Sequence, residues 1–316
     1  MADTVSTVVS VPPRYDLVGT LALLTMGRGD PCFRVGSPGR LRLAISGPSG
    51  PLAVSLAAGD GTVSIEVTGP DPEWLTPLLP RLLGLRSDHA QFDSPPRLRD
   101  LANRYAGLRL PQVPAVVPRV VQIVLQQLVS FRDAAHGWRE LVTRHGETAG
   151  ENPVGQPRLI APPSAKTLAK LPSHEYVACG ILPQHARRIV GVAREATKLE
   201  ADWAGGLRPD SAERVSRRLA AQPGIGPWTL GYLRGAGLGD SDAVVLGDYS
   251  FPRSVAYFFA NPSEADAAAE KATDEEMLRL LEPYRPYRFY VLSLILKGGG
   301  PPLRKGPHRP PLRDRL

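Results

Sequence analysis

The sequence predicts a mostly α-helical protein with an α+β domain at its N-terminus. Between residues 16 and 68 it has short apolar segments separated by Gly, Pro and Asp, a pattern typical of antiparallel strands. After the proline-spaced segment LPQVPAVVPR the pattern changes, and apolar residues from Val120 to Leu128 recur on one face of a helix. A chain of 316 residues also exceeds what one core usually organises, which favours two packed units.

The individual elements follow from these patterns. The segments LVGTLALLTM, CFRV, LRLAI, LAVSL and VSIEV are predicted strands. A helix is predicted around Trp74 to Leu85 and another near LRDLANRYAGL, which completes a small α+β unit. From there only helices are predicted, over 117–131, 133–145, 164–171, 173–178, 183–200, 211–221, 228–237, 249–260, 273–282 and 286–297.

We therefore expect an α+β domain over residues 1–110 and an all-α domain over 111–297. The last segment, 298–316, combines Gly, Pro and Arg without apolar periodicity, so we expect a basic disordered tail. The acidic, Ala-rich stretch at 262–280 is interpreted as a helix start with a solvated face.

Composition limits the function classes. No apolar run reaches membrane-spanning length and the N-terminus does not resemble a secretory signal, so we expect a cytoplasmic protein. The cysteines Cys32 and Cys179 stand alone and the six histidines are scattered, which argues against a disulfide framework, a metal site or another cofactor. A net charge of +7 favours a nucleic-acid partner, although 32 of the 38 basic residues are Arg in an Ala-, Gly- and Pro-rich chain, so composition bias explains the charge equally well.

The most specific local pattern is RRLAAQPGIGPWTLGYL, in which two helices flank the hairpin Pro223 to Pro227. Gly224 and Gly226 allow the backbone to approach a phosphate closely, Ile225 can plug the hairpin into the core, and the next helix directs free N–H groups outward. Such a hairpin binds DNA without reading its sequence. A tight turn between two packed helices explains the same residues, and the hairpin alone does not decide between the two.

A carboxylate follows this hairpin at short range. In LGDSDAVVLGDYSFPRSVAYFF an apolar run from Ala243 to Leu246 leads to Asp248, at the start of an aromatic-rich helix. A carboxylate near C1′ of a nucleotide stabilises the cationic sugar of glycosidic cleavage and orients or deprotonates the attacking water. Asp248 as a simple helix cap is a compatible alternative.

Together these motifs resemble the helix-hairpin-helix DNA glycosylase superfamily, whose fold is therefore expected. PGIGPWT followed by DAVVLGDY resembles its hairpin and Gly/Pro-Asp loop, and QQLVS, the basic segment LAKLPSHEYVACGILPQHARRIVGVARE and YRPYRFYVLSLIL resemble further family segments. The match covers about residues 110–297 and is most similar to the bacterial 3-methyladenine DNA glycosylase II branch. Trp228 stands where bifunctional relatives place a nucleophilic Lys, and nothing after Cys179 supplies an iron–sulfur loop, so neither a lyase nor a cluster is expected.

The resemblance implies roles for further residues. Trp228, Tyr232 and Tyr287 line the pocket for a flipped base, and a cationic alkylated purine stacks well on such rings. Leu128 is the apolar wedge that enters the gap in the DNA, with Gln127 beside it, although the helical spacing of Leu128 suits a core residue equally well. The other implied DNA-binding residues are Gly224, Ile225, Gly226 and Thr229.

The sequence also departs from the branch and leaves alternatives open. Gly247 precedes the catalytic Asp where paired acids are common, and Leu296 stands where relatives carry a Trp, which puts the range of substrates in doubt. The expected activity is hydrolytic release of an alkylated purine from double-stranded DNA by a monomer associated with the nucleoid. The alternatives are a noncatalytic DNA-damage-binding protein and a glycosylase for a deaminated or oxidised base.

Overall fold

The N-terminal residues form a five-stranded antiparallel sheet in the order β1-β5-β4-β3-β2. The computed structural model describes residues 3–87, 91–151 and 158–299. Alternate residues of the last strand, Val63, Ile65 and Val67, are fully buried against the following helical segment. The strands are β1 (Asp3–Ser10), β2 (Phe33–Val35), β3 (Arg40–Gly47), β4 (Gly50–Ala58) and β5 (Thr62–Gly69).

Three details of this region differ from the predictions. The segment LVGTLALLTM contains a helix, α1 (Leu17–Ala22), whose first turn is capped because the Asp16 carboxylate accepts a hydrogen bond from the Gly19 N–H at 2.7 Å. Strand β1 was not among the predicted strands, and it exists by pairing with β5, far along the chain. The predicted helix around 74–85 is mostly 3-10 turns and ends in α2 (Leu79–Leu82), because prolines interrupt the segment.

Among the described residues after α2 the regular elements are helices, as predicted, apart from one short ladder of two strands, β6 (Glu147–Thr148) and β7 (Ile160–Ala161). The expectation of helices only is wrong at that ladder. The helices are α3 (Arg99–Arg104), α4 (Val116–Leu125), α5 (Phe131–His145), α6 (Ala165–Lys170), α7 (Ser173–Ala178), α8 (Pro183–Arg194), α9 (Ala196–Trp203), α10 (Ser211–Ala220), α11 (Pro227–Leu238), α12 (Phe251–Phe259), α13 (Ala265–Lys271), α14 (Asp274–Leu281) and α15 (Arg288–Gly298).

Three helices differ in extent from their predictions. The single helix expected over 183–200 divides into α8 and α9 at Glu195. Helix α4 ends at Leu125 rather than at 131, because Leu128 adopts the left-handed conformation with φ +58°. In the stretch 262–280 there are two helices, α13 and α14, separated by Ala272 and Thr273.

Helix α4 is the centre of the helical core. All of its residues except Pro118 are buried, and it packs against α5, α8, α9 and α11. Its first turn is capped by a residue that is distant in the sequence: the Glu200 carboxylate accepts hydrogen bonds from the Val116 and Val117 N–H groups at 3.0 and 2.9 Å. This cap fixes the N-terminal end of α4 against α9.

A second buried cluster joins α15 to α11, α14 and residues Leu98 to Leu110. The domain boundary at residue 110 stays a prediction. The predicted tail covers 298–316; its first residue, Gly298, ends α15, and 300–316 lie outside the described residues. Within the described part of the chain, no helix is long and apolar enough to cross a membrane.

Candidate active site and nucleic-acid interface

The hairpin between α10 and α11 has the backbone geometry that its glycines suggest. Gly224 adopts φ +81°, and a Cβ built on it would lie 2.1 Å from Nε of Arg188, so both conformation and space favour glycine. Gly226 is extended, and a Cβ there would meet nothing within 4 Å. Ile225 is 6% exposed and anchors the hairpin in the core. The outer side of the hairpin is therefore open backbone.

Gln127 ties this hairpin to the chain that follows α4. Its amide Nε2 donates to the Gly224 carbonyl at 3.1 Å and to the Thr229 hydroxyl at 2.8 Å, and its Oε1 accepts from Arg188 at 2.6 Å. The Gln127 and Thr229 side chains are almost fully buried. These two side chains hold the hairpin, and their expected contact with DNA stays a prediction.

Leu128 lies beside this tie at the surface. Its side chain is 68% exposed although it is large and apolar, and its φ of +58° is uncommon for a residue with a Cβ. The alternative that Leu128 is a core residue is excluded by this exposure. The left-handed backbone conformation costs about 1–2 kcal/mol in a residue with a Cβ. At Leu128 it places an exposed apolar side chain next to the hairpin.

The Asp248 carboxylate is held by three donors. Its Oδ2 accepts the indole N–H of Trp228 at 2.8 Å, and its Oδ1 accepts the backbone N–H groups of Ser250 and Phe251 at 2.7 and 3.0 Å. It caps α12, which begins at Phe251, and at the same time bonds the first turn of α11. The hairpin helix and the carboxylate are brought together, as the sequence predicted, and the carboxylate is only partly buried.

An aromatic group adjoins this carboxylate. The rings of Trp228 and Tyr232 lie 5.5 Å apart between centroids, and Phe251 packs edge-on against Tyr232 at 5.9 Å. The guanidinium of Arg119 lies 5.9 Å from the centroid of the Tyr232 ring. Arg119 is 3% exposed, and burial lowers its pKa from the usual range. Sequence reasoning missed this buried cation, since it lies within an otherwise apolar helix.

Tyr287, like Trp228 and Tyr232, packs against the second buried cluster. Its ring packs edge-on against Phe92, with 5.4 Å between centroids, at the edge of the second buried cluster. Its neighbour Arg288 donates through Nε and Nη2 to the Asp242 carboxylate at 2.8 and 2.6 Å, which anchors the start of α15. Leu296, near the other end of α15, is 43% exposed. The pocket role of Tyr287 stays a prediction.

A cavity of about 100 Å³ lies elsewhere, between the sheet and α4. Asp30, Arg119, Gln122 and Trp138 contribute to its lining, and none of the predicted site residues does. Asp248 therefore lies outside this cavity.

Comparison of the sequence with known proteins finds relatives named DNA-3-methyladenine glycosylase 2 and AlkA. No family model matches the chain. It is 27% identical over 189 residues to DNA-3-methyladenine glycosylase 2 of Escherichia coli, covering 60% of each chain. It is 28% identical over 175 residues to the probable bifunctional transcriptional activator/DNA repair enzyme AlkA of Mycobacterium tuberculosis, covering 53% of this chain and 33% of that protein. The chain thus spans less than two thirds of the length of these relatives.

Solved structures share its architecture more completely. The 3-methyladenine DNA-glycosylase of Archaeoglobus fulgidus superposes with a TM-score of 0.73 at 22% identity, over 92% of this chain and 97% of that one. The 8-oxoguanine glycosylase/lyase of Clostridium acetobutylicum, in complex with double-stranded DNA, gives 0.65 at 11% identity over 93% and 96%. The resemblance expected from the sequence is thereby confirmed: the chain is similar to DNA-3-methyladenine glycosylase 2 and has the fold of the helix-hairpin-helix DNA glycosylases.

Proposed function

We propose that this protein is a monofunctional DNA glycosylase that flips a damaged base out of double-stranded DNA and hydrolyses its N-glycosidic bond. The observation that carries the proposal is the Asp248 carboxylate, bonded at 2.8 Å to the first turn of the hairpin helix. A phosphate held by the hairpin would bring the sugar of the same strand towards this carboxylate.

Asp248 acts on the sugar in this proposal. As the glycosidic bond breaks, C1′ gains positive charge, and the carboxylate stabilises that charge and orients or deprotonates the attacking water. Three fixed donors keep the carboxylate in place before substrate arrives, so no reorganisation is needed at the reacting moment. Because Trp228 offers no amine, water is the nucleophile and the product is an abasic site in an intact strand.

The neighbouring residues bind the DNA in complementary ways. The open backbone of Gly224 and Gly226 and the start of α11 bind a phosphate, while Ile225 anchors the hairpin. Leu128 fills the gap left by the flipped nucleotide. Gln127 and Thr229 hold the wedge and the hairpin at a fixed separation. The flipped base stacks on Trp228 and Tyr232, with Tyr287 at the far wall.

The proposed substrate is an alkylated purine, in line with the 3-methyladenine glycosylases in the names of the relatives. One observation favours a second candidate, a neutral deaminated or oxidised base. Arg119 already occupies a position 5.9 Å from the Tyr232 ring. A cationic base on the opposite face would lie about 9 Å from that guanidinium, and the repulsion at an effective dielectric constant of 20 is about 2 kcal/mol.

Charge and substrate suggest where and how the protein works. We propose that the protein works in the cytoplasm. Its net charge of +7 favours association with the nucleoid when it is bound to DNA. We propose that it acts as a monomer, because one hairpin and one carboxylate suffice for one flipped base.

One experiment tests the activity and separates it from its alternatives. Purified protein and Asp248→Asn are incubated with methylated, deaminated and oxidised duplex DNA, and the released bases are identified by mass. We expect the wild-type protein to release methylated purines, leaving unnicked abasic sites, and Asp248→Asn to be slower by about a hundredfold or more. Binding of damaged DNA without release by the wild-type protein would establish the noncatalytic alternative, and nicking by β-elimination would refute the hydrolytic mechanism.

A further inference from the structure

A loop of the N-terminal part of the chain lies beside the wedge residue. It comprises Thr25 to Asp30, with the sequence TMGRGD, and connects α1 to β2; we name it the Gly-Arg-Gly loop. It precedes the segment that carries the family resemblance, and the function proposed above assigns it no role.

The Gly-Arg-Gly loop is held in one conformation by a buried carboxylate. Asp30 is 4% exposed, and its Oδ2 accepts the Met26 N–H at 2.8 Å. Its Oδ1 accepts the Cys32 N–H at 2.9 Å and the indole N–H of Trp138, on α5, at 3.0 Å. A buried carboxylate requires such partners, and these ones fix the loop against the helix that begins just after the wedge.

The tip of the loop presents one arginine. Gly27 and Gly29 adopt φ +82° and +86°, which brings the backbone close to α5 on both sides. A Cβ on Gly27 would lie 3.1 Å from the ring of Phe131, and the Gly29 carbonyl accepts a hydrogen bond from Arg139 at 3.3 Å. Between them Arg28 is exposed and makes no hydrogen bond or ion pair with the described part of the chain.

The neighbours of Arg28 form a surface suited to DNA. Phe131, against which the loop packs, is 53% exposed and lies three residues after Leu128, itself 68% exposed. The amide of Gln126, one residue before the tie formed by Gln127, approaches Sδ of Met26 at 3.6 Å. Arg132 and Arg139 are exposed on one face of α5, seven residues apart. Two exposed apolar side chains are thus bordered by three arginines.

We propose that the Gly-Arg-Gly loop is a second DNA-contacting element, in which Arg28 binds a backbone phosphate close to the nucleotides displaced by Leu128. This rests on the DNA glycosylase function proposed above. This surface is complementary to DNA with a disrupted base stack, because apolar side chains enter the stack while the cations beside them meet phosphates. An arginine held between two glycines on a pinned loop reaches a phosphate with little loss of backbone entropy.

The test measures the salt dependence of binding to an undamaged duplex, which separates binding from base release. We expect Arg28→Ala to lower the slope of log affinity against log salt by about one, so that its deficit is larger at low salt, while Arg28→Lys keeps the slope. The matched control is Arg40→Ala, because Arg40 is also an exposed arginine but lies away from the loop. It is about 13 Å along β3 from Ala44, whose N–H donates to the carbonyl of Cys32, just after the loop.

The outcomes separate this proposal from the one on which it rests. If the wild-type protein releases damaged bases but Arg28→Ala and Arg40→Ala have the same slope as wild type, the loop is not a DNA contact. If the wild-type protein neither binds duplex DNA nor releases bases, the proposed function fails and this inference fails with it. Melting temperatures equal to wild type establish that a changed slope does not reflect misfolding.

Discussion

Leu128 offers a prediction in which stability and activity change in opposite directions. Its φ of +58° costs about 1–2 kcal/mol in a residue with a Cβ, and its 68% exposed side chain contributes little packing. In Leu128→Gly the strain disappears, while the greater flexibility of glycine in the unfolded chain offsets about 0.5–1 kcal/mol. We expect the free energy of unfolding to rise by about 0.5–1 kcal/mol.

The same substitution removes the proposed wedge. We expect base release from a fully paired duplex to fall at least tenfold, because refilling the gap in the stack offsets part of the cost of flipping, and tenfold corresponds to about 1.4 kcal/mol. The matched control is Leu128→Ala, which keeps the strained backbone and removes the wedge. Denaturant unfolding and single-turnover base release are measured on both. Equal stability of the two variants would refute the strain argument, and full base release by both would refute the wedge.

Three further predictions concern the site and its support. Trp228→Phe keeps a ring but removes the hydrogen bond to Asp248, and the loss of about 1.5 kcal/mol should slow single-turnover base release about tenfold; an unchanged rate would contradict the orienting role. Gly224→Ala forces a Cβ against Arg188 at a positive φ, so we expect weaker DNA binding and a lower melting temperature, and a neutral result would show that the hairpin rearranges freely. Burial, together with Arg188, lowers the pKa of His185 to about 4, so the unfolded chain binds this proton first and the free energy of unfolding should fall as the pH drops from 6.5 towards 4; denaturant titrations should show a flatter dependence in His185→Gln.

The parts of the site that are local in sequence could be predicted. The hairpin, its glycines and Asp248 lie within 25 residues of one another, and their spacing fixes a helix, a turn and a carboxylate in order. The contact between Trp228 and Asp248 spans 20 residues, and the resemblance to a known family brought these motifs together. Helix periodicity likewise indicated most of the helical part, because amphipathic faces follow from local sequence.

The parts that depend on distant contacts could not be predicted. Gln127 bonds Thr229 across 102 residues and Arg188 across 61, and no pattern in the sequence links such side chains. Strand β1 depends on pairing with β5, and the left-handed turn at Leu128 shortens a helix whose apolar spacing continues. Polar partners and backbone handedness are decided by tertiary structure, so a wedge, a hairpin and their connection appear only in the folded chain.

These distant contacts also account for how a rigid site lies on an open surface. Three of the residues proposed to meet DNA lie next to a buried polar tie: Leu128 follows Gln127, Gly224 contacts the same amide, and Arg28 lies two residues before Asp30. Because these hydrogen bonds form without DNA, less conformational entropy is lost when DNA binds. They also keep the hairpin, wedge and loop at fixed separations. Since the sugar of the flipped nucleotide must reach the carboxylate while the wedge fills the gap in the stack, breaking one tie should weaken base release more than it weakens general DNA binding.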